Sequence, residues 1–319
     1  MITFSIIIPV KAGGHVAALD SIRNLSADAD SYELLIAEGA APSRQRNLAA
    51  SSARGELLYF LDDDSLINPE NLRLCAEIMK DEKVAVVGGP SVTPASDSPL
   101  QQLFGSALSS PLGSGAVRGR YRVFGAVRET TEKELILCNL VIRRSVFMEL
   151  GGFDERLYPN EENELLDRIK SSGFKLVHNP AMYVHRSQRK SLKAFVRQMF
   201  AYGRGRAQQT LISGSFSLVS FVPLFFTLYL FLVLLFGGNL LLLAPLLLYA
   251  ALAALFTSAA ICRTGRLYLL ALLLIYPLMH CVNGCGLLYG LLGGKPVPLR
   301  DDNIVIRRIK EFGQDFPGS

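Results

Sequence analysis

The 319-residue sequence has no tryptophan, and its five cysteines (Cys75, Cys138, Cys262, Cys281 and Cys285) include no C-x-x-C pair. That spacing argues against a zinc site and a disulfide framework. Cys281 and Cys285, four residues apart on an expected helix, read as packing. Aspartate and glutamate are missing altogether from 168 to 300, and between 212 and 294 only Arg263 and Arg266 are charged. Charged residues make up 19% of the chain, against about 25% in soluble domains, and the deficit lies in that one stretch. A uniform soluble enzyme, a disordered chain and a small disulfide-stapled secreted domain are excluded. The N-terminus also lacks a basic n-region. Its apolar run from Phe4 to Val10 is too short for a signal segment, so the first domain is expected to remain in the cytoplasm.

What is present begins with alternating strands and helices. Strands are expected at 5–10, 32–37, 57–61 and 84–88, with helices at 16–24, 43–53 and 69–80 between or after them. This spacing predicts an α/β fold with βαβ units and a parallel sheet buried on both faces. Ligands bind such sheets beyond the carboxyl ends of the strands, which lines up 9–11, 38–39 and 62–64 along one edge. Residues 90–134, rich in Gly, Ser and Pro, read as a long loop region covering the site. Regular structure resumes at 135–142, followed by a Gly-Gly-Phe-Asp turn at 151–154 and a helix at 160–173.

Arg186, Arg189, Lys190, Lys193, Arg197, Arg204 and Arg206 follow in quick succession, interleaved with Leu192, Phe195, Val196, Met199, Phe200 and Tyr202. A basic amphipathic helix directly before an apolar segment reads as an interfacial helix on an anionic leaflet; no nucleic-acid module accompanies it. Residues 216–236 and 240–261 are each long enough to span a bilayer, joined by a turn at 237–239. Arg263 and Arg266 then place the next loop on the cytoplasmic side. A third apolar stretch, 267–292, is interrupted by Pro277, His280, Asn283 and several glycines. It either spans or, the favoured reading, re-enters as two half-helices. The expected organisation is a domain at 1–185, a basic region at 186–212, a membrane domain at 213–294 and a tail at 295–319.

The strongest chemical signal is Leu57-Leu58-Tyr59-Phe60-Leu61-Asp62-Asp63-Asp64. An apolar strand ends in three adjacent carboxylates at the ligand edge, a repulsive arrangement that a divalent cation relieves. Hard oxygen ligands suit Mg²⁺ or Mn²⁺; a solvated acidic turn is the plain alternative. With S-I-I-I-P-V-K at the start, Glu38 at the second strand end, Arg46-Asn47, Cys138-Asn139, the Gly-Gly-Phe-Asp turn and Asn160-Glu161-Glu162-Asn163-Glu164-Leu165, the series resembles the family 2 glycosyltransferases over about residues 3–210.

The resemblance implies a GT-A nucleotide-sugar-binding domain followed by an α-helical membrane domain. It implies that Pro9 and Val10 line the nucleotide pocket, Glu38 accepts a hydrogen bond from the base, and Arg46 and Asn47 approach the ribose or diphosphate. Asp62 and Asp63 would lie at the nucleotide, and Asp64, with Asp62, at the metal. Glu162 falls where the family has its catalytic base, commonly Asp, with Glu161 a competing assignment. Glu38 likewise replaces a usual Asp, leaving UDP- and GDP-linked donors both open. The chain has Gln198 but no Q-x-x-R-W motif, and so departs from processive synthases. It is closer to bacterial exopolysaccharide enzymes that extend lipid-linked intermediates. Asn139, His185, Arg197, Tyr202, Arg204 and Arg206 would then serve the acceptor or a phosphate.

The implied activity is inverting, metal-dependent transfer of a hexosyl-type sugar to a polyprenyl-linked acceptor. It would take place at the cytoplasmic membrane, with the catalytic domain facing the cytoplasm. The expected partners are anionic lipid and that acceptor, with no nucleic acid; a homo-oligomer is compatible with the sequence. A polyprenyl-phosphate glycosyl synthase and a non-catalytic nucleotide-binding membrane protein are the alternatives.

Overall fold

The computed structural model describes residues 2–214, 216–236, 240–294 and 303–316. The turn expected at 237–239 and residues 295–302 of the tail lie outside them. In chain order the elements are β1 (Phe4–Val10), α1 (Ala18–Ile22), β2 (Tyr32–Glu38), α2 (Pro42–Ser52), β3 (Leu57–Leu61), β4 (Leu66–Ile67), α3 (Asn71–Ile78), β5 (Val84–Gly88) and β6 (Ser91–Val92). They continue with α4 (Pro99–Leu108), α5 (Pro111–Ser114), β7 (Arg128–Glu129), β8 (Asn139–Arg143), α6 (Arg144–Glu149), α7 (Glu161–Ser171), β9 (Lys175–His178) and β10 (Val184–His185). Last come α8 (Leu192–Ser213), α9 (Val222–Phe236), α10 (Leu240–Thr264), α11 (Leu272–Leu291) and β11 (Val305–Lys310). The chain divides into two compact units, one made of 1–92, 119–187 and 297–319, the other of 93–118 and 188–296.

The first unit is built on an eight-stranded sheet in the order β11-β2-β1-β3-β8-β5-β9-β7. Strands β2, β1 and β3 are parallel, as are β5 and β9. The expectation of a parallel sheet is corrected: β8 inserts antiparallel between β3 and β5, and the edge strands β11 and β7 pair antiparallel with β2 and β9. The sheet is buried on both faces because successive side chains alternate. Ile6, Ile8, Tyr59 and Leu61 fill one core, while Ile7, Leu58 and Phe60 fill the other. Phe153 of the Gly-Gly-Phe-Asp turn packs its ring edge-on against Phe60, with centroids 5.1 Å apart. A small sheet, β4-β10-β6, carries His185.

The tail does not stand apart from this unit. Strand β11 pairs antiparallel with β2 and covers what would otherwise be an open edge. Arg308 lies 3.0 Å from the fully buried Glu33 carboxylate. Lys310 donates to the carbonyls of Ala29 (2.7 Å) and Tyr32 (2.9 Å).

In the second unit, three stretches are long and apolar enough to cross a membrane: Leu218–Phe236, Leu241–Thr264 and Leu267–Leu291. Residues 90–134, expected as a loop over the site, instead contain α4 and α5. Ser98 and Gln101 form a capping box at the start of α4, with Pro99 in its first turn. Phe104 of α4 stacks on Phe195 of α8 at 4.1 Å. The third apolar stretch is likewise not two half-helices, since α11 runs unbroken through Pro277. Its polar groups join neighbouring segments: Tyr249 hydrogen-bonds His280 at 2.9 Å, and Asn283 donates to the Met199 carbonyl at 3.2 Å.

Candidate active site

The acidic residues at the end of β3 sit in a chain of alternating charges. Arg46, buried on α2, donates to Asp62 Oδ1 (2.9 Å) and to Glu161 Oε1 (3.2 Å). On the other side Arg186, just beyond β10, reaches Asp62 Oδ2 at 3.1 Å and Asp64 Oδ1 at 2.6 Å. The order is therefore Glu161, Arg46, Asp62, Arg186, Asp64. Arg120 adds a third guanidinium, 3.5 Å from Glu162. It is anchored by the carbonyls of Glu132 (2.5 Å) and Lys133 (2.9 Å) and by the Asn163 amide oxygen.

Local backbone sets up the glutamate pair. Asn160 precedes α7 in the left-handed region, at φ 99°, an unusual conformation for a non-glycine residue that is often held at functional sites. Glu161 and Glu162 occupy the first helical turn, where the helix dipole favours negative charge. Their surroundings differ. The Glu161 side chain is 3% exposed and one of its oxygens is buried with no hydrogen-bond partner, whereas Glu162 is 12% exposed. Burial, and then repulsion from Glu162, push the Glu161 carboxyl up to about 8 against the pull of Arg46. Burial followed by repulsion from Asp64 and Asp62 also raises Asp63.

The structure thus brings together Arg46, Asp62, Asp64, Glu161 and Glu162. Val10 and Glu38 line a cleft of about 370 Å³ at the ends of β1 and β2; Pro9 is buried within β1. Two expected ligand contacts belong instead to the scaffold. Asn47 donates to the Phe153 carbonyl (2.9 Å) and to Glu155 (3.1 Å), and accepts from the Phe153 amide (2.9 Å), pinning the Gly-Gly-Phe-Asp turn. Asn139 is fully buried; it accepts from the Tyr59 hydroxyl at 2.6 Å and donates to the Met182 carbonyl at 2.5 Å. Both amides are used in packing, so neither points to a ligand.

His185 lies opposite Leu66 in the small sheet, and its Nδ1 is buried without a partner. Arg197, Tyr202, Arg204 and Arg206 all lie on α8, in the second unit. Three residues escaped the sequence reading. Arg186 was counted with the basic run, and Arg120 sits in a stretch with no periodicity. Arg307, which donates to Glu38 at 3.0 Å, directly follows the β-branched run Ile304-Val305-Ile306, a strand signal that could have found it.

A mixed sheet ending in acidic residues, with a glutamate pair at a helix start beside them, defines a glycosyltransferase domain of the GT-A type. The chain belongs to the glycosyl transferase family group 2, whose profile matches residues 57–291. Among solved structures it is similar to the mannosyltransferase PcManGT from Pyrobaculum calidifontis, in complex with GDP-Man and Mn²⁺. The TM-score is 0.55 and the identity 16%, over 91% of this chain and 87% of that one. It also overlaps S. aureus TarS residues 1–349 in complex with UDP-GlcNAc, with TM-score 0.47 and 14% identity over 99% of this chain and 98% of that one. Comparison with curated proteins finds no match.

Proposed function

We propose that the protein transfers a sugar from a nucleotide-diphosphate sugar to a polyprenyl-linked acceptor, with inversion, in exopolysaccharide or cell-envelope glycan synthesis. The observation that carries this reading is the Glu161–Arg46–Asp62 link, which fixes a candidate base pair beside a candidate diphosphate site. A mannosyltransferase of the same fold holds GDP-Man and Mn²⁺, which supports a nucleotide-sugar donor and a divalent cation here.

The residues present fit such a cation. Oxygens of Asp62 and Asp64 already share one positive group, Arg186. Leaving aside Glu161, whose carboxyl is pushed up to about 8, four carboxylates (Asp62, Asp63, Asp64 and Glu162) stand with three guanidinium groups, a formal excess of one negative charge. Among the described residues no three His, Cys, Asp or Glu side chains form a closed metal cage. Mg²⁺ commonly takes one or two carboxylates and completes its shell with water and substrate phosphate. Asp62 and Asp64 would hold the ion, which when bound neutralises charge on the leaving diphosphate.

The protein's own groups do the rest. Glu162 takes the proton of the acceptor hydroxyl; it is the more accessible of the pair and lies 3.5 Å from the Arg120 guanidinium. Glu161 and Arg46 position Asp62. Arg197, Arg204 and Arg206 of α8 would meet the acceptor's diphosphate, and the basic helix would lie on an anionic cytoplasmic leaflet.

The test is nucleotide diphosphate release by the full chain in lipid, over a panel of UDP- and GDP-sugars. Lipid-linked saccharide and polyprenyl monophosphate are offered as separate acceptors. Glu162→Gln is expected to lower transfer by about 10²–10⁴-fold, and Asp64→Asn is expected to weaken its dependence on added Mn²⁺. Wild-type rates in both variants would sink the assignment, and turnover with the monophosphate alone would move it to a synthase.

A further inference from the structure

The cleft at the ends of β1 and β2 has a wall that comes from the far end of the chain. Val16, Leu19 and Ile36 supply apolar surface, and so does Ile309 of β11. The polar lining is His15, the ion pair of Asp20 with Arg23 at 3.5 Å, and, where β2 meets β11, the pair of Glu38 with Arg307 at 3.0 Å. The Glu38 side chain is 17% exposed and that of Arg307 59%. A volume of about 370 Å³ falls at the small end of ligand sites, roughly 300–1,000 Å³, and suits a flat heterocycle rather than a whole nucleotide sugar.

We infer that this cleft takes the nucleobase of the donor, that the base is guanine, and that Arg307 on the C-terminal strand is the specificity-determining residue. The inference rests on the nucleotide-sugar reading and adds the identity of the nucleotide. Its basis is the chemistry of the pair. A carboxylate only accepts, through two oxygens, and a guanidinium only donates, through five N–H groups in a planar fork. The edge of guanine places two adjacent donors, N1–H and the N2 amino group, beside the O6 acceptor, with N7 next to O6. Glu38 satisfies the two donors, and Arg307 satisfies O6 and N7, the bidentate contact by which arginine commonly reads guanine. Uracil offers one N–H flanked by two carbonyls. The carboxylate then meets one donor where guanine presents two. The Glu38–Arg307 ion pair holds both groups in register before any base arrives, because the β2–β11 ladder sets Glu38 opposite Val305, two residues from Arg307.

The experiment measures GDP and UDP binding to the full-length protein in lipid nanodiscs by calorimetry with Mg²⁺ present. The wild type is compared with Arg307→Ala, Arg307→Lys and Glu38→Gln. The wild type is expected to bind GDP at least tenfold more tightly than UDP, the size of one or more charge-assisted hydrogen bonds. Arg307→Ala should bring the two affinities to within about threefold by weakening GDP alone, and Arg307→Lys should keep part of the preference. Glu38→Gln should weaken GDP more than UDP. Because the readout is a ratio within one sample, partial unfolding of a variant does not shift it. Equal or tighter binding of UDP by the wild type, or an unchanged ratio in Arg307→Ala, overturns the inference and leaves the glycosyltransferase reading standing. Binding of neither nucleotide overturns both.

Discussion

At the residue scale, Glu161 and Glu162 show how adjacent, identical side chains come to do different work. Glu161 points into the protein, shares Arg46 with Asp62, and has its carboxyl pushed up to about 8, first by burial and second by Glu162. Unfolded, it would titrate near 4.5. The folded state therefore binds more protons than the unfolded state between about pH 4.5 and 8, so this group's stabilisation is complete below that window and is lost as pH rises through it. Asp63, also raised, acts in the same direction. Thermal unfolding of the full chain in detergent should show a midpoint that falls from pH 5 to pH 8, with a flatter profile in Glu161→Gln. A midpoint that rises over that range, or a variant with the wild-type slope, would contradict the burial account. The acids were legible in the sequence because three carboxylates after an apolar strand have few structural uses. Arg46 was legible with them through its motif, but Arg120 and Arg186 were not, because they come from distant points of the chain and carry no local pattern. Asn47 and Asn139 show the opposite error, since motif position suggests a ligand contact while the buried amides serve the turn and the core.

At the element scale, β1, β3 and β5 were readable because strands buried on both faces are continuous apolar runs, whatever their neighbours. The direction of β8 was not, since an apolar run does not encode whether it lies parallel or antiparallel. Strand β11 was hidden for another reason: Arg307, Arg308 and Lys310 make it look like a solvated tail. In the fold each of these cations has a fixed task, toward Glu38, toward Glu33 and toward the carbonyls of Ala29 and Tyr32. The Arg308 contact has the clearest energetic consequence. Glu33 is fully buried, accepts from the Ser5 hydroxyl and the Arg54 amide at 2.6 Å each, and lies 3.0 Å from Arg308. Removing one partner of a buried pair leaves an uncompensated charge, at a cost of about 3–5 kcal/mol. Arg308→Met should therefore lower the denaturation midpoint markedly, and Glu33→Gln in the same chain should recover part of the loss. Additive losses in the double variant would show that the two side chains are not coupled.

At the scale of the whole molecule, β11 constrains how the chain meets the membrane. The sheet contains both β2, before the apolar helices, and β11, after them. A single sheet cannot form from strands on opposite sides of a bilayer, so an even number of crossings is expected, although three stretches are long and apolar enough to cross. The packing of α11 makes it the stretch expected not to cross. Its residues 283–290 run backbone to backbone beside α8: a Cβ on Gly203 would lie 2.0 Å from the Asn283 carbonyl oxygen, and one on Gly286 2.2 Å from that of Phe200. Helix α8 carries Arg197, Arg204 and Arg206, each costing about 2.5–3.5 kcal/mol at the centre of a bilayer. This half of α11 is therefore expected at the depth of α8, which would leave α9 and α10 as the crossing hairpin. Arg263 and Arg266, after α10, are then expected on the cytoplasmic side, as the positive-inside rule favours. Single cysteines at the exposed positions Glu149, Arg266, Glu311 and Phe236, in a chain freed of its own cysteines, would be labelled with an impermeant maleimide in sealed vesicles of each orientation. The first three are expected to react from the cytoplasmic side and position 236 from the other. Labelling of position 311 from the side opposite to 149 would mean an odd number of crossings, and would remove β11, with Arg307, from the sheet.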